Sequence, residues 1–260
     1  MNLILFIIAM TSSTIGAITG IGGGVIIKPV VDILGILSVS VTNFLSACTV
    51  LSMSTVSLIR SKKNKIQIDL KYSTFLAIGA AIGGVGGKII FDSIKNNYQN
   101  DSTLVFLQSV ILLLLTVMVL VYMLNKSKIK TYNFKNNLAI SVTGLILGIL
   151  SAFLGIGGGP INLVVLYMLF SMDSKTAAVN SLYVIFFSQI ANLLFTIICA
   201  NVPQFDIISL VAMVIGGISG GLIGSDILKR LSGNGISKVF NVLLIVIIII
   251  CATNAWRVIL

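Results

Sequence analysis

Long apolar runs broken by short polar stretches make up most of this chain. Segments such as 104–124 and 239–252 carry no charge and approach the roughly 20 residues a helix needs to cross a hydrocarbon core. The pattern predicts three full spans in each half of the chain, near 40–60, 71–91 and 103–124, then near 174–199, 206–225 and 237–258. Ahead of each trio lies an apolar stretch, 2–38 and 137–170, interrupted by a run of glycines. Each stretch predicts a hairpin with arms of about 15 to 17 residues. At about 1.5 Å per residue such arms hardly cross a ~30 Å core, so the glycine tip should sit within the membrane or near its far boundary. Residues Asn2 to Met10 lack a basic leader and run on into further apolar sequence, as a retained segment does.

The two halves repeat one another. Gly20-Ile21-Gly22-Gly23-Gly24 recurs as Gly155-Ile156-Gly157-Gly158-Gly159, a shift of 135. Asn43 then matches Asn180, Asp69 matches Asp206, and Gly79, Gly83, Gly84 and Gly87 match Gly216, Gly220, Gly221 and Gly224, at a shift of 137. Two residues are therefore expected to have been gained between the glycine cluster and the next helix. Basic residues give the orientation, because lysine and arginine concentrate on the cytoplasmic side. Arg60, Lys62, Lys63, Lys65 and Lys71 crowd one connection, and Lys126, Lys128, Lys130 and Lys135 the central linker, whereas Ala200–Phe205 has no basic residue. Residues 60–70, 125–136 and 226–237 should face the cytoplasm, and 92–102 and 200–205 the outside. The expected fold is an all-α polytopic membrane protein of two inverted repeats, each a broken-helix hairpin plus three transmembrane helices. The first repeat is 1–124, the linker 125–136 and the second repeat 137–260.

Composition narrows the function. Only 9% of residues are charged, against about 25% in a soluble domain, so the surface is built for lipid, as a mean hydropathy of +1.12 also requires. The net charge of +10 lies in clusters between apolar runs, which argues for positive-inside orientation and against nucleic acid. Cys48, Cys199 and Cys251 have no CxxC spacing, and there is no histidine. No metal centre, cofactor or enzymatic constellation is expected from such a set.

The remaining chemistry sits at the breaks. Gly22, Gly23, Gly24, Gly157, Gly158 and Gly159 can take positive φ and leave backbone N–H groups uncovered beside a helix start, a setting that suits an anion. Pro160 fits the first turn of the following helix. Lys28, followed by Pro29, is a deep charge that either contacts an anion or pairs with Asp32 one turn on. Asn43, Asn180, Ser181 and Gln189 form polar positions on the helices after the hairpins, and either hold a ligand or pin helices together. The stripes Gly79/Gly83/Gly87 and Gly216/Gly220/Gly224 read as close helix packing.

The two GIGGG clusters with their prolines, the Thr42-Asn43 and Val179-Asn180-Ser181 helix starts and the paired glycine stripes resemble the TauE/SafE family, also called TSUP, over essentially the whole chain. The resemblance implies a multi-pass permease of a bacterial or archaeal plasma membrane for small anions, often sulfur-bearing ones such as sulfite, thiosulfate or sulfonates. It also implies that the substrate meets Gly22, Gly23, Gly24 and Pro29 in the first half and Gly157, Gly158, Gly159 and Pro160 in the second. The expected activity is secondary transport by alternating access, with an anion channel as the alternative.

Overall fold

The computed structural model describes residues 1–64, 66, 68–97, 101–132 and 136–259. Lys65 and Lys135, counted among the basic loop residues, and residues 98–100 of the outward connection lie outside that set. All regular structure among the described residues is helical. The first half contains α1 (Asn2–Thr19), α2 (Gly24–Leu34), α3 (Val39–Lys63), α4 (Leu70–Asn97) and α5 (Asp101–Leu124). A single 3-10 turn, Lys126–Lys128, leads to α6 (Asn137–Phe153), α7 (Pro160–Phe170), α8 (Ser174–Ile198), α9 (Ile207–Arg230) and α10 (Gly233–Ile259). Seven of these, the six expected spans α3, α4, α5, α8, α9 and α10 together with the hairpin arm α1, are long and apolar enough to cross a membrane.

The hairpins are more lopsided than the sequence pattern suggests. Their first arms have 18 and 17 residues but their returning arms, α2 and α7, only 11 each. At 1.5 Å per residue an 11-residue arm covers about 16 Å, half a hydrocarbon core. Left-handed residues stop both arms, Gly35 at φ 63° and Ser171 at φ 52°.

Two glycine stripes set the packing. A Cβ on Gly79, Gly83 or Gly87 of α4 would overlap the carbonyl oxygens of Ser141, Leu145 and Ile149 of α6 in turn. On Gly216, Gly220 or Gly224 of α9 it would meet those of Phe6, Met10 and Thr14 of α1. Small residues every fourth position let the backbones touch, so α4 lies along α6, and α9 along α1, in the same direction. The α6 and α1 partners are themselves 135 apart, so contacts repeat as well as residues. The halves interlock: each first arm packs on a helix of the other half.

Helices α3 and α8 cross at the centre and run in opposite directions, since the start of α3 and the end of α8 line one cavity. Ser73 of α4 bonds Asn180 near the start of α8, Lys175 reaches the carbonyl of Lys229 at the end of α9, and Arg60 at the end of α3 pairs with Asp226. These contacts gather Arg60, Lys62, Lys63, Lys71, Lys175, Lys229 and Arg230 at one end of the bundle, called the basic end below.

The register of α3 and α8 corrects one sequence expectation. Their N-caps, Ser38 and Asp173, are 135 apart. A Cβ on Gly20 would strike Ala178, and one on Gly155 would strike Asn43, so Asn43 corresponds to Ala178 and not to Asn180. The two extra residues lie after α8: six residues (64–69) join α3 to α4, but eight (199–206) join α8 to α9.

Candidate functional site

The two glycine breaks meet midway along α3 and α8, where Gly22 lies between Val50 and Ile185. Positive φ falls on Gly20, Gly22, Gly155 and Gly157, not on Gly23, Gly24, Gly158 or Gly159 as a uniform glycine run would suggest. Gly22 at 82° and Gly157 at 70° turn the chain out of the incoming helix. The glycines that follow serve close approach instead. A Cβ on Gly24 would overlap the Ile156 carbonyl, and one on Gly158 would collide with Ile185 and come within 3.0 Å of the Ile21 oxygen. The breaks therefore back onto each other as a seam.

A cavity of about 300 Å³ opens on one side of that seam. Its walls are the start of α3, the ends of α4 and α8 and residues 200–203, so it opens at the end opposite the basic one. Asn43, Gly155, Gly157, Gln189 and Asn192 contribute polar wall. Gln189 is fully buried, and neither its Oε1 nor its Nε2 has a hydrogen-bond partner. The Oδ1 atoms of Asn43 and Asn192 are likewise buried and unpartnered. Buried amides normally find partners, so three in one wall mark a place where a ligand or water completes the set. Lys88 and Lys95 face the cavity with Asp92, which leaves one positive charge in excess. Lys88 Nζ stands 2.9 Å from Asp92, whose other oxygen accepts from Asn201 Nδ2 at 3.4 Å.

Of the residues singled out from sequence, Asn43, Gly157 and Gln189 reach this cavity. Gly22, Gly23, Gly24, Gly158, Gly159 and Pro160 are buried in or beside the seam, with Pro160 opening α7 as its fixed φ favours. Ser181 is buried with an unpartnered hydroxyl and does not line the cavity. Asn180 acts toward the basic end, where its Oδ1 accepts from Asp69 N–H at 2.8 Å and from Ser73 Oγ at 2.5 Å, and its Nδ2 donates to Thr176 at 2.7 Å. Lys28 and Pro29 border a separate small void, and Lys28 Nζ lies 2.8 Å from Asp32. The residues that sequence reasoning passed over are Lys88, Lys95, Asn192 and Gly155. The i,i+4 pair Lys88/Asp92, directly after a glycine stripe, is the signal the sequence offers for this wall.

A profile of the family described as sulfite exporter TauE/SafE matches residues 5–250. The chain belongs to the TauE/SafE family. It is similar to the "Probable membrane transporter protein YunE" of Bacillus subtilis (strain 168), at 23% identity over 94% of each chain. No solved structure matches. Membership makes this a multi-pass membrane protein of a transporter family.

Proposed function

We propose that the protein is a secondary transporter that carries a small anion across the cell membrane by alternating access. The anion would rest on Asn43, Gly157 and Gln189, with Lys95, the lysine left over once Lys88 pairs with Asp92, supplying positive charge. The buried and unpartnered amide of Gln189 carries this reading, because it adds donors for an anion to a wall with an excess cation. The volume of about 300 Å³ suits a small solute. Sulfite, thiosulfate and small sulfonates are the first substrates to test, in keeping with the family's description.

The opposed courses of α3 and α8 and the paired glycine contacts support an inverted repeat, the common plan of such carriers. Basic residues favour the cytoplasm for the basic end, which would make this an outward-open state. The seam argues against a channel, since Gly24 presses on Ile156 where a pore would pass. The deciding experiment is flux into proteoliposomes with radiolabelled sulfite, thiosulfate and taurine. Saturable uptake with counterflow is expected. Non-saturating flux without counterflow would make the protein a channel, and wild-type affinity in Gln189→Leu would move the binding site elsewhere.

A further inference from the structure

The Lys28–Asp32 pair lies outside the anion cavity, and its surroundings are unlike those of a mere structural bridge. Both side chains are almost fully buried, at 3% and 4% exposure, inside a hairpin arm where a charge is expensive. Asp32 Oδ2 accepts from Lys28 Nζ at 2.8 Å, but its Oδ1 is buried without a partner. Gln108 of α5 donates Nε2 to the Phe153 carbonyl at 2.6 Å, and its Oε1 is buried and unpartnered too. Both residues border a void of about 10 Å³, roughly the least that holds one water. On its other side Asp32 borders a wider opening of about 220 Å³ that Arg257 also lines.

The chemistry of these walls narrows the occupant. Two unpartnered acceptors repel an anion, and the small void excludes an organic one. The Lys28 ammonium repels a metal cation. Water satisfies every group, accepting from Lys28 and donating to Asp32 and Gln108. A carboxylate that water reaches and that has an unused oxygen can take a proton on that oxygen.

We infer that Asp32 is a proton-binding site: a proton delivered by water through the wider opening converts the Asp32 carboxylate to the acid, while Lys28 keeps its charge. The groups facing it are Lys28 on its own helix and Cys251 and Arg257 on α10; the residues of α3 and α5 that line either void are neutral. At a shift of 135 the second half has Leu163 and Tyr167 in these places, so the site is one-sided.

A link to transport follows if the anion reading above holds. Leu154 lines the proton-site void, while Ala152 and Gly155 line the anion cavity, so the second glycine break is a shared wall. Protonating Asp32 leaves an uncompensated positive charge behind that wall, which favours an anion in front of it.

Infrared difference spectroscopy of the full chain in liposomes, during a pH titration, tests proton binding without any substrate. Seven acidic residues make the carboxyl region tractable. A carboxylic acid band should be present in wild type, absent in Asp32→Asn and retained in Asp92→Asn. In Lys28→Met the band should change frequency, because the ammonium that bonds the other carboxyl oxygen is gone. Should Asp32→Asn fail to fold, Asp32→Glu keeps the acid and should move the band. Identical titrating bands in wild type and the Asp32 variants would overturn the proposal. For the link, an inward proton gradient should accelerate radiolabelled sulfite uptake in wild type but not in Asp32→Asn, which keeps counterflow. Acceleration that survives Asp32→Asn would overturn the link alone. Absence of counterflow in wild type would overturn the transport reading and leave proton binding at Asp32 to stand or fall on the infrared bands.

Discussion

The two ends of the α3/α8 pair are furnished with similar polar side chains and use them in opposite ways. Toward the basic end, Asn180 spends its amide on protein: three hydrogen bonds tie α8 to itself and to the start of α4. Toward the other end, Gln189, Asn192 and Asn43 hold buried polar atoms with no protein partner around an open cavity. An unpaired buried amide is a standing cost, whereas a paired one supports the fold. One end is therefore built to hold itself shut, and the other to be completed by something else.

The glycine seam between the ends offers the harshest way to break this contrast. Valine at Gly24 would drive its Cβ into the Ile156 backbone, where no side chain can yield, so little folded protein should reach the membrane. Valine at Gly157 faces a positive φ and crowds Gln189 and Val50 at 3.1–3.2 Å, but beside an open cavity. Gly157→Val should insert and lose uptake. Comparing membrane yield with flux checks both, and equal loss of yield in the two variants would make the cavity floor as structural as the seam.

Leucine scanning of the two ends sharpens the same contrast. Asn180→Leu strands Asp69 N–H and Ser73 and should cost about 1–3 kcal/mol of stability. Gln189→Leu removes two unpartnered polar atoms, so its melting temperature should hold or rise while apparent affinity for the anion falls about 10- to 100-fold, a hydrogen bond to a charge being about 1.5–3 kcal/mol. Destabilisation by Gln189→Leu would show that its amide serves the fold. A comparable effect is expected at the stripes: Gly83→Ala and Gly220→Ala should each destabilise by about 1–3 kcal/mol, and similarly, because they meet corresponding carbonyls in the two halves. Unequal losses would weaken that correspondence.

Where periodicity or composition speaks directly, the sequence was legible. The long apolar helices, the breaks, Pro160 at a helix start and both packing stripes follow from local rules about lipid, backbone freedom and small residues. Register across the halves was not legible. Asn43 and Asn180 share a shift with the later glycines, but that shift arises in the longer connection 199–206, which a one-dimensional match cannot place. The cavity wall was only partly visible because its residues come from α3, α4, α8 and the second break, brought together by tertiary packing alone. Lys28 shows the limit from the other side: anion contact and pairing with Asp32 look identical in sequence, and the fold has Lys28 against Asp32.

The smallest expected effect compares how the two ends fasten a helix start. At the cavity end, Asp206 caps α9, accepting from Ile208 N–H at 3.2 Å, Ser209 N–H at 3.0 Å and Ser209 Oγ at 2.9 Å. These bonds, that of the Ser209 hydroxyl foremost, hold its carboxyl below the usual aspartate range. A carboxyl depressed by folding adds stability above its unfolded value, and that stability is lost as pH falls through the folded one. Asp206→Asn should therefore lower the melting temperature by a small, constant amount from neutrality down to about pH 4, the ordinary aspartate value, and by less and less below it. At the basic end the start of α4 is held by Asp69 Oδ1, which accepts from Tyr72 N–H at 3.3 Å, and by the Asn180 amide; the amide does not titrate, so the loss in Asn180→Leu should not fade with pH in this way. Paired melts of both variants from neutral to acid pH check the difference. If the Asp206→Asn loss persists unchanged into acid, the cap owes its strength to side-chain shape and not to the carboxylate charge.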